Sequence, residues 1–224
     1  MGRRQIEGVP PIVSVIGRSK SGKTSLIEKL VAELKLRGYR VATIKHAQEI
    51  NLDEPGKDSW RHIQAGSEAT AVVSASEAVL FKPVTPAVTL DEITRLFGDD
   101  YDIILAEGFK KANAPKIEVR YGGDGAPLKD IKRLIAIVSN KPIDTNVRQF
   151  SIQDTKGLVD LLEKGFIKPQ RERLALYING ERIILKSFPR KIISSLLINM
   201  VSSLKGVNGV SSLDIFIRKQ PKQG

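Results

Sequence analysis

Residues 11–165 predict an α/β fold, a mostly parallel sheet flanked by helices, and residues 170–224 predict a small basic ββαβ unit. Three observations carry this expectation. Short, wholly apolar runs alternate with segments of helical period, the pattern of strands buried on both faces. A glycine-rich turn joins the first of these strands to the first helix. Beyond Gly165 the alternation gives way to a hairpin signal followed by one long helix.

Residues 1–10 read as a polar arm ending at Pro10. Ile12–Ile16 is the first buried strand. From Lys23 to Arg37, Leu26, Leu30 and Leu34 recur at i, i+4, i+8 beside Ile27 and Val31, an amphipathic helix stopped by Gly38. Arg40–Lys45 reads as a strand, Lys57–Ala65 as a short helix closed by Gly66, and Ala69–Ser74 as another strand. Further strands are expected at Asp102–Glu107, Lys116–Arg120 and Leu134–Ser139. Helices are expected at Thr89–Phe97 and Thr155–Lys164, the latter capped by Asp154 or Thr155. A polar stretch, Lys168–Arg173, leads to Leu174–Ile178 and Arg182–Leu185, which flank Asn179-Gly180, a two-residue turn that needs φ > 0 at both positions. Pro189–Lys205 then reads as a helix with Ile192, Ile193, Leu196, Leu197, Met200, Val201 and Leu204 on one stripe, and Ser211–Arg218 as a last strand.

Composition narrows the chemistry. With no cysteine and only His46 and His62, the 224 residues cannot build disulfides, thiolate nucleophiles or cysteine-based zinc sites. A metal must rest on carboxylates, hydroxyls and substrate phosphates, which suits Mg²⁺. The apolar runs are too short to span a bilayer and no secretory leader is recognisable, so a cytoplasmic protein without a membrane partner is expected. The net charge is +11, and residues 166–224 hold 11 Lys/Arg against three Asp/Glu, leaving 25 against 22 for the rest. A basic tail fits an anionic partner or a solvated face equally well. The absence of a recognisable RNA-binding motif around its few aromatic residues disfavours nucleic acid.

Gly17-Arg18-Ser19-Lys20-Ser21-Gly22-Lys23-Thr24 matches GxxxxGK[ST] at every fixed position, between a buried strand and an amphipathic helix. This is the signature of a P-loop NTPase. Its backbone N–H groups and the helix N-terminus face an anion, with Ser25 next in the first turn. Lys23 is expected to reach the β- and γ-phosphates of a purine triphosphate and Thr24 to coordinate Mg²⁺. The acid such a site requires is supplied by Ile103-Ile104-Leu105-Ala106-Glu107, at the end of a buried strand. Asp58 and Ser59 fit a helix start as well as a ligand position, and Lys45-His46 a solvated strand end as well as a site. Asn140-Lys141-Pro142-Ile143-Asp144 approximates the guanine-reading Asn-Lys-x-Asp, with Asp144 one residue late; a plain proline turn fits it equally.

These segments, with Ile44-Lys45-His46, Asp53-Glu54-Pro55-Gly56-Lys57-Asp58-Ser59, Glu107-Gly108-Phe109-Lys110 and Pro115-Lys116-Ile117-Glu118-Val119, resemble in order and wording the molybdopterin-guanine dinucleotide biosynthesis protein B family (MobB). The resemblance covers residues 11–165. It implies a dimerising GTP-binding adapter that assists the guanylyltransferase joining GMP to molybdopterin and hydrolyses GTP slowly. It also implies GTP contacts at Gly17–Thr24, with Asp53, Asp58 and Glu107 around Mg²⁺ and with Lys45 and His46 near the phosphates or the pterin partner. Gln48 stands where family members often carry a second histidine, and the tail beyond residue 170 is absent from shorter members. Three other readings compete. A metal-delivery GTPase of the same P-loop class would need a cluster of soft ligands, against which zero cysteines and two distant histidines argue. A small-molecule P-loop kinase would need an arginine-bearing lid, and none is recognisable; a nucleotide-regulated nucleic-acid binder would work through the tail. Without an identifiable arginine finger or water-positioning glutamine, at most weak Mg²⁺-dependent turnover by Lys23 and Glu107 is expected. An intersubunit ribbon built from Lys116–Arg120 and the Gly122–Gly125 turn is a further expectation.

Overall fold

A computed structural model describes residues 10–47, 55–85, 87–98, 100–120, 128, 130–170, 174, 176–179, 181–183, 185–215 and 217. The chain clusters into two compact units, Pro10–Pro169 and one that includes Gln170–Gly224.

The larger unit is built on six parallel strands in the order β2-β5-β1-β6-β7-β8. These are β1 (Ile12–Gly17), β2 (Val41–Lys45), β5 (Ile103–Glu107), β6 (Lys116–Arg120), β7 (Leu134–Ser139) and β8 (Arg148–Phe150). β1 buries all six of its residues because strands lie on both sides of it and layers cover both faces. One face packs against α1 (Lys23–Leu36) and α4 (Thr155–Leu162), through Leu26, Leu30 and Leu34 on one helix and Leu158, Val159 and Leu162 on the other. The opposite face carries Ile12, Ala42, Ile44, Ile104 and Ala106 under Leu90 of α3 (Leu90–Thr94). α3 starts on a capping box: Thr89 Oγ1 accepts from Glu92 N while Glu92 Oε2 accepts from Thr89 N, which also lowers the Glu92 pKa. α1 stops at Gly38, whose φ of +84° ends the helix as its sequence position suggested.

The two helices on the first face are joined by charge as well as packing. Arg37, at the end of α1, donates to Glu33 (2.9 Å), Asp160 (2.5 Å) and Glu163 (2.8 Å). Hydrogen bonds from Lys168, Arg37 and Tyr39 push the Glu163 carboxyl from its ordinary value near 4.5 down to about 2. The bonds to Asp160, Glu163 and Glu33 hold the Arg37 guanidinium above its ordinary value. Asp154 is the cap of α4, accepting from Gly157 N at 3.0 Å. The helix does not end at Lys164: a π turn (Glu163–Ile167) and a 3₁₀ turn (Lys168–Gln170) follow it, and residues 171–173 of the expected linker lie outside the described residues.

Several expectations are corrected. The strand expected near residues 69–74 does not join the parallel sheet. Thr70–Val73 (β3) pairs antiparallel with Ala78–Phe81 (β4), which had no period strong enough to mark it, and the two form a separate hairpin after α2 (Asp58–Gln64). β8 is three residues long, with Arg148 and Gln149 exposed and Phe150 packed against the core, too short to register as a period. Within this chain Lys116–Arg120 pairs with β1 on one edge and β7 on the other; the Gly122–Gly125 turn lies outside the described residues.

In the second unit, β9 (Leu176–Ile178) pairs antiparallel with β10 (Glu181–Ile183) across Asn179, whose φ is +52°, while Gly180 lies outside the described residues. α5 spans Ser187–Ser202, starting two residues before the expected Pro189, and buries none of its residues. Among the described residues 211–215 and 217 no strand forms, so the expected last strand is not observed. No helix among the described residues is long and apolar enough to cross a membrane.

Candidate nucleotide site

β1 delivers the chain to Gly17 at the carboxyl edge of the sheet, where ligands of parallel sheets bind. A Cβ on Gly17 would lie 2.6 Å from the Val119 carbonyl oxygen of β6 and 2.4 Å from Ser21 Oγ. Only glycine fits there, and the reason is steric. The loop then curls through left-handed Lys20 (φ 58°) and Gly22 (φ 86°), a conformation that turns successive N–H groups inward. Gly22 caps α1 without any side-chain bond to the first-turn N–H groups, leaving these donors for an anion. Ser21 Oγ is buried without a hydrogen-bond partner. Lys23 Nζ crosses the loop to the Arg18 carbonyl at 2.7 Å. Arg18, Ser19, Lys20, Thr24 and Ser25 are exposed around this mouth. A steric wall behind Gly17, an orphaned hydroxyl and inward donors make a cradle that fits a phosphate group.

The strand order sets the acid beside this cradle. β5 lies between β2 and β1, with Glu107 in register with Val15 on one side and Lys45 on the other. Thr24 Oγ1 donates to Glu107 Oε2 at 3.0 Å. Because the hydroxyl spends its only proton on the carboxylate, its lone pairs remain free for a cation. His46 N donates to the Glu107 carbonyl at 3.1 Å, and Gly108 N to the Val15 carbonyl at 2.9 Å. The His46 ring meets Phe109 edge-on at 5.2 Å. Gly108 (φ +96°) and Phe109 (φ 54°) make the sharp turn that permits this. The structure therefore brings Thr24 and Glu107 into contact and sets Lys45 and His46 beside them on the same sheet edge.

Other anticipated residues stand apart. Asp58 opens α2 without serving as its cap, and its exposed carboxylate pairs with Arg61 at 3.5 Å. Asp53 lies outside the described residues. Among the described residues no three His, Asp or Glu side chains cluster as metal ligands. Thr24 and Glu107 alone suit Mg²⁺, which takes one or two protein ligands and completes its shell with phosphate and water oxygens. Asn140 to Asp144 form the β7–β8 loop, pinned by Ser139 Oγ, which bonds both Lys141 N and O, and by Gln149, whose amide bonds both Ile143 N and O.

The sequence reading passed over the polar face of β6. Lys116 is fully buried, and its ammonium donates to the carbonyls of Ala112 (2.6 Å), Ala114 (2.9 Å) and Lys132 (3.2 Å). Burial lowers its pKa, with Arg133 adding to the effect. Glu118, also buried, accepts from Leu128 N at 3.1 Å and lies 3.9 Å from Arg120. The alternation of charged and apolar residues over Lys116–Arg120 was the available signal.

The sequence profile described as "Molybdopterin guanine dinucleotide synthesis protein B" matches residues 12–140, the span from the start of β1 to the end of β7. The chain belongs to this family. Similar to it is the molybdopterin-guanine dinucleotide biosynthesis adapter protein of Haemophilus influenzae, 33% identical over 156 residues, covering 68% of this chain and 88% of that protein. A relative from Methanocaldococcus jannaschii is 28% identical over 240 residues, covering 92% of this chain and 97% of its own length. Among solved structures, Bacillus subtilis MobB superposes with a TM-score of 0.53 at 28% identity, over 70% of this chain and 97% of that one. Its coverage and that of the Haemophilus protein match the P-loop unit in extent, whereas the Methanocaldococcus alignment runs on into the C-terminal unit.

Proposed function

We propose that this MobB-family chain is a GTP-binding adapter in molybdopterin guanine dinucleotide biosynthesis, assisting the guanylyltransferase that joins GMP to molybdopterin. The observation that supports a nucleotide site is the 3.0 Å bond between Thr24 and Glu107 at the mouth of the phosphate cradle. In this reading residues Gly17 to Ser25 wrap the phosphates, Lys23 supplies positive charge at the β/γ end, and Thr24 with Glu107 holds Mg²⁺. The metal, when bound, neutralises phosphate charge. Lys45 and His46 face the outer phosphates or the pterin partner. Asn140 and Asp144 stand at the carboxyl end of β7 and favour guanine. Asp53 and Asp58 are further candidate metal ligands on this reading.

Turnover is slow, since no arginine finger is recognisable at the site among the described residues, unless a partner completes it. A homodimer is supported by the β3–β4 hairpin, which stands outside the main sheet with Val73 73% and Leu80 50% exposed. The same reading places the protein in the cytoplasm.

The test is titration with fluorescent GTP and ATP analogues in Mg²⁺. GTP preference is expected, with Lys23→Ala weakening affinity by about ten- to hundredfold, the size of one lost charge-assisted contact. Preference for ATP would move the reading to a kinase, and unchanged binding by the variant would refute the phosphate clamp.

A further inference from the structure

α5 carries two apolar faces. Ile193, Leu197 and Val201 are half-buried. Phe188, Ile192, Leu196 and Met200 recur every four residues, Leu204 continues the row beyond the helix, and these five are 48–73% exposed. Such a row is an i±4 ridge, the surface feature that seats in the groove of another helix.

Charge restricts what covers it. α5 contains no Asp or Glu. Lys186, Arg190 and Lys191 stand at its start and Lys205 just after its end, while Ser194, Ser195 and Asn199 keep the middle neutral. A second copy would set cations against cations in either orientation, with no carboxylate in the helix to offset them. An anionic bilayer is best met by cations along the whole polar face, which this neutral middle does not supply. A helix N-terminus also disfavours cations, so the placement of Lys186 and Lys191 here suits carboxylates brought by another molecule.

We infer that α5 is a docking helix for an acidic amphipathic helix of a partner protein, whose apolar anchors interleave with the Phe188–Leu204 ridge and whose carboxylates meet Lys186, Lys191 and Lys205. The Methanocaldococcus alignment, at 92% of this chain, extends through α5. A single helix pair buries less than the roughly 1,200 Å² of a standard interface, so the contact is transient. The inference goes beyond the nucleotide site and does not rest on it.

The test uses the full chain and a labelled Leu/Glu amphipathic peptide of about 18 residues, long enough to hold a helix. Fluorescence anisotropy is expected to show micromolar binding, with a scrambled peptide of the same composition weaker by about tenfold or more. Leu196→Asp combined with Met200→Asp is expected to lose binding by a similar factor, while the circular dichroism spectrum and the GTP titration stay unchanged. Lys186→Glu with Lys191→Glu is expected to weaken it as well. Equal binding of the scrambled peptide would reduce the surface to charge alone and overturn the proposal. So would absence of peptide binding, binding confined to phosphatidylserine vesicles, or a concentration-dependent dimer abolished by the Leu196→Asp, Met200→Asp variant.

Discussion

Gly17→Ala tests the geometry of the site most directly, because the expected effect follows from two distances. The added methyl would stand 2.6 Å from the Val119 carbonyl oxygen and 2.4 Å from Ser21 Oγ. Ser21 Oγ belongs to a buried side chain, and Val119 O to the backbone of a strand paired on both sides, so neither yields cheaply. Overpacking of this kind costs about 1–3 kcal/mol. For a chain of this size each kcal/mol lowers Tm by about 2–4 °C, giving a fall of about 2–12 °C. Relief must come from the loop, which moves Ser21 and the inward N–H groups, so GTP affinity should fall by about tenfold or more. Gly38→Ala is the control: it meets nothing within 4 Å but is strained by its φ of +84°. It should lower Tm and leave nucleotide affinity intact. Differential scanning fluorimetry and GTP titration on both variants decide the matter. Wild-type Tm and affinity in Gly17→Ala would refute the claim that β6 forms the back wall of the cradle.

A double-mutant cycle on Thr24→Ala and Glu107→Gln should give a coupling of about 0.5–3 kcal/mol in Mg²⁺-GTP binding, as for residues in contact; additive effects would separate the two functionally. Glu163 binds its proton less readily folded than unfolded, so its stabilising contribution is complete above about pH 4.5 and is lost as pH falls towards about 2. Glu163→Gln should flatten that acid limb of a Tm–pH profile and cost about 1 kcal/mol at neutral pH, the partly exposed network being screened by solvent. Lys116→Met should cost about 2–4 kcal/mol, since three carbonyls lose their donor. The folded chain releases the Lys116 proton more readily than the unfolded one, so stability from this group rises with pH in the alkaline range. Denaturant titration at neutral and alkaline pH should show that rise in the wild type and its absence in Lys116→Met.

Much of the P-loop unit was legible because its signals are local. The largely apolar Ile12–Ile16 and the apolar run Leu134–Val138 announce buried strands, and the leucine spacing of α1 announces a covered face. The glycines at 38 and 66 end helices through positive φ, which a sequence states directly. Partnership between strands is not local. Nothing in Thr70–Val73 tells whether it joins the large sheet or folds back on Ala78–Phe81, because both placements use the same alternation. The three-residue β8 has too few positions to display a period. In the site, the positions of Lys23 and Thr24 were readable because a motif fixes their spacing, and that of Glu107 because it closes an apolar strand; the structure brings Thr24 and Glu107 into contact. The Lys116 ammonium cage was not, because its three acceptors are backbone carbonyls carrying no residue identity. The single stripe read on the last helix divides into a half-buried face and an exposed ridge, a distinction only neighbouring elements can make.

The order β2-β5-β1-β6 explains why the phosphate loop is held from both sides. Were β1 beside β2, its chain neighbour, Glu107 would stand one strand further from Thr24. Insertion of β5 between them places the acid in register with Val15, two residues before Gly17, so the α1 hydroxyl and the β5 carboxylate meet. On the other flank β6 runs in register from Ser14↔Lys116 to Gly17↔Val119, and its carbonyl closes the space behind Gly17. The Lys116 ammonium fixes the start of this same strand by gathering the connection before it and the turn before β7. A buried charge bears a desolvation cost that an apolar residue would avoid. Its position here joins two backbone segments, through three carbonyls, at the foot of the strand whose other end shapes the cradle, a task for which an apolar side chain has no donors.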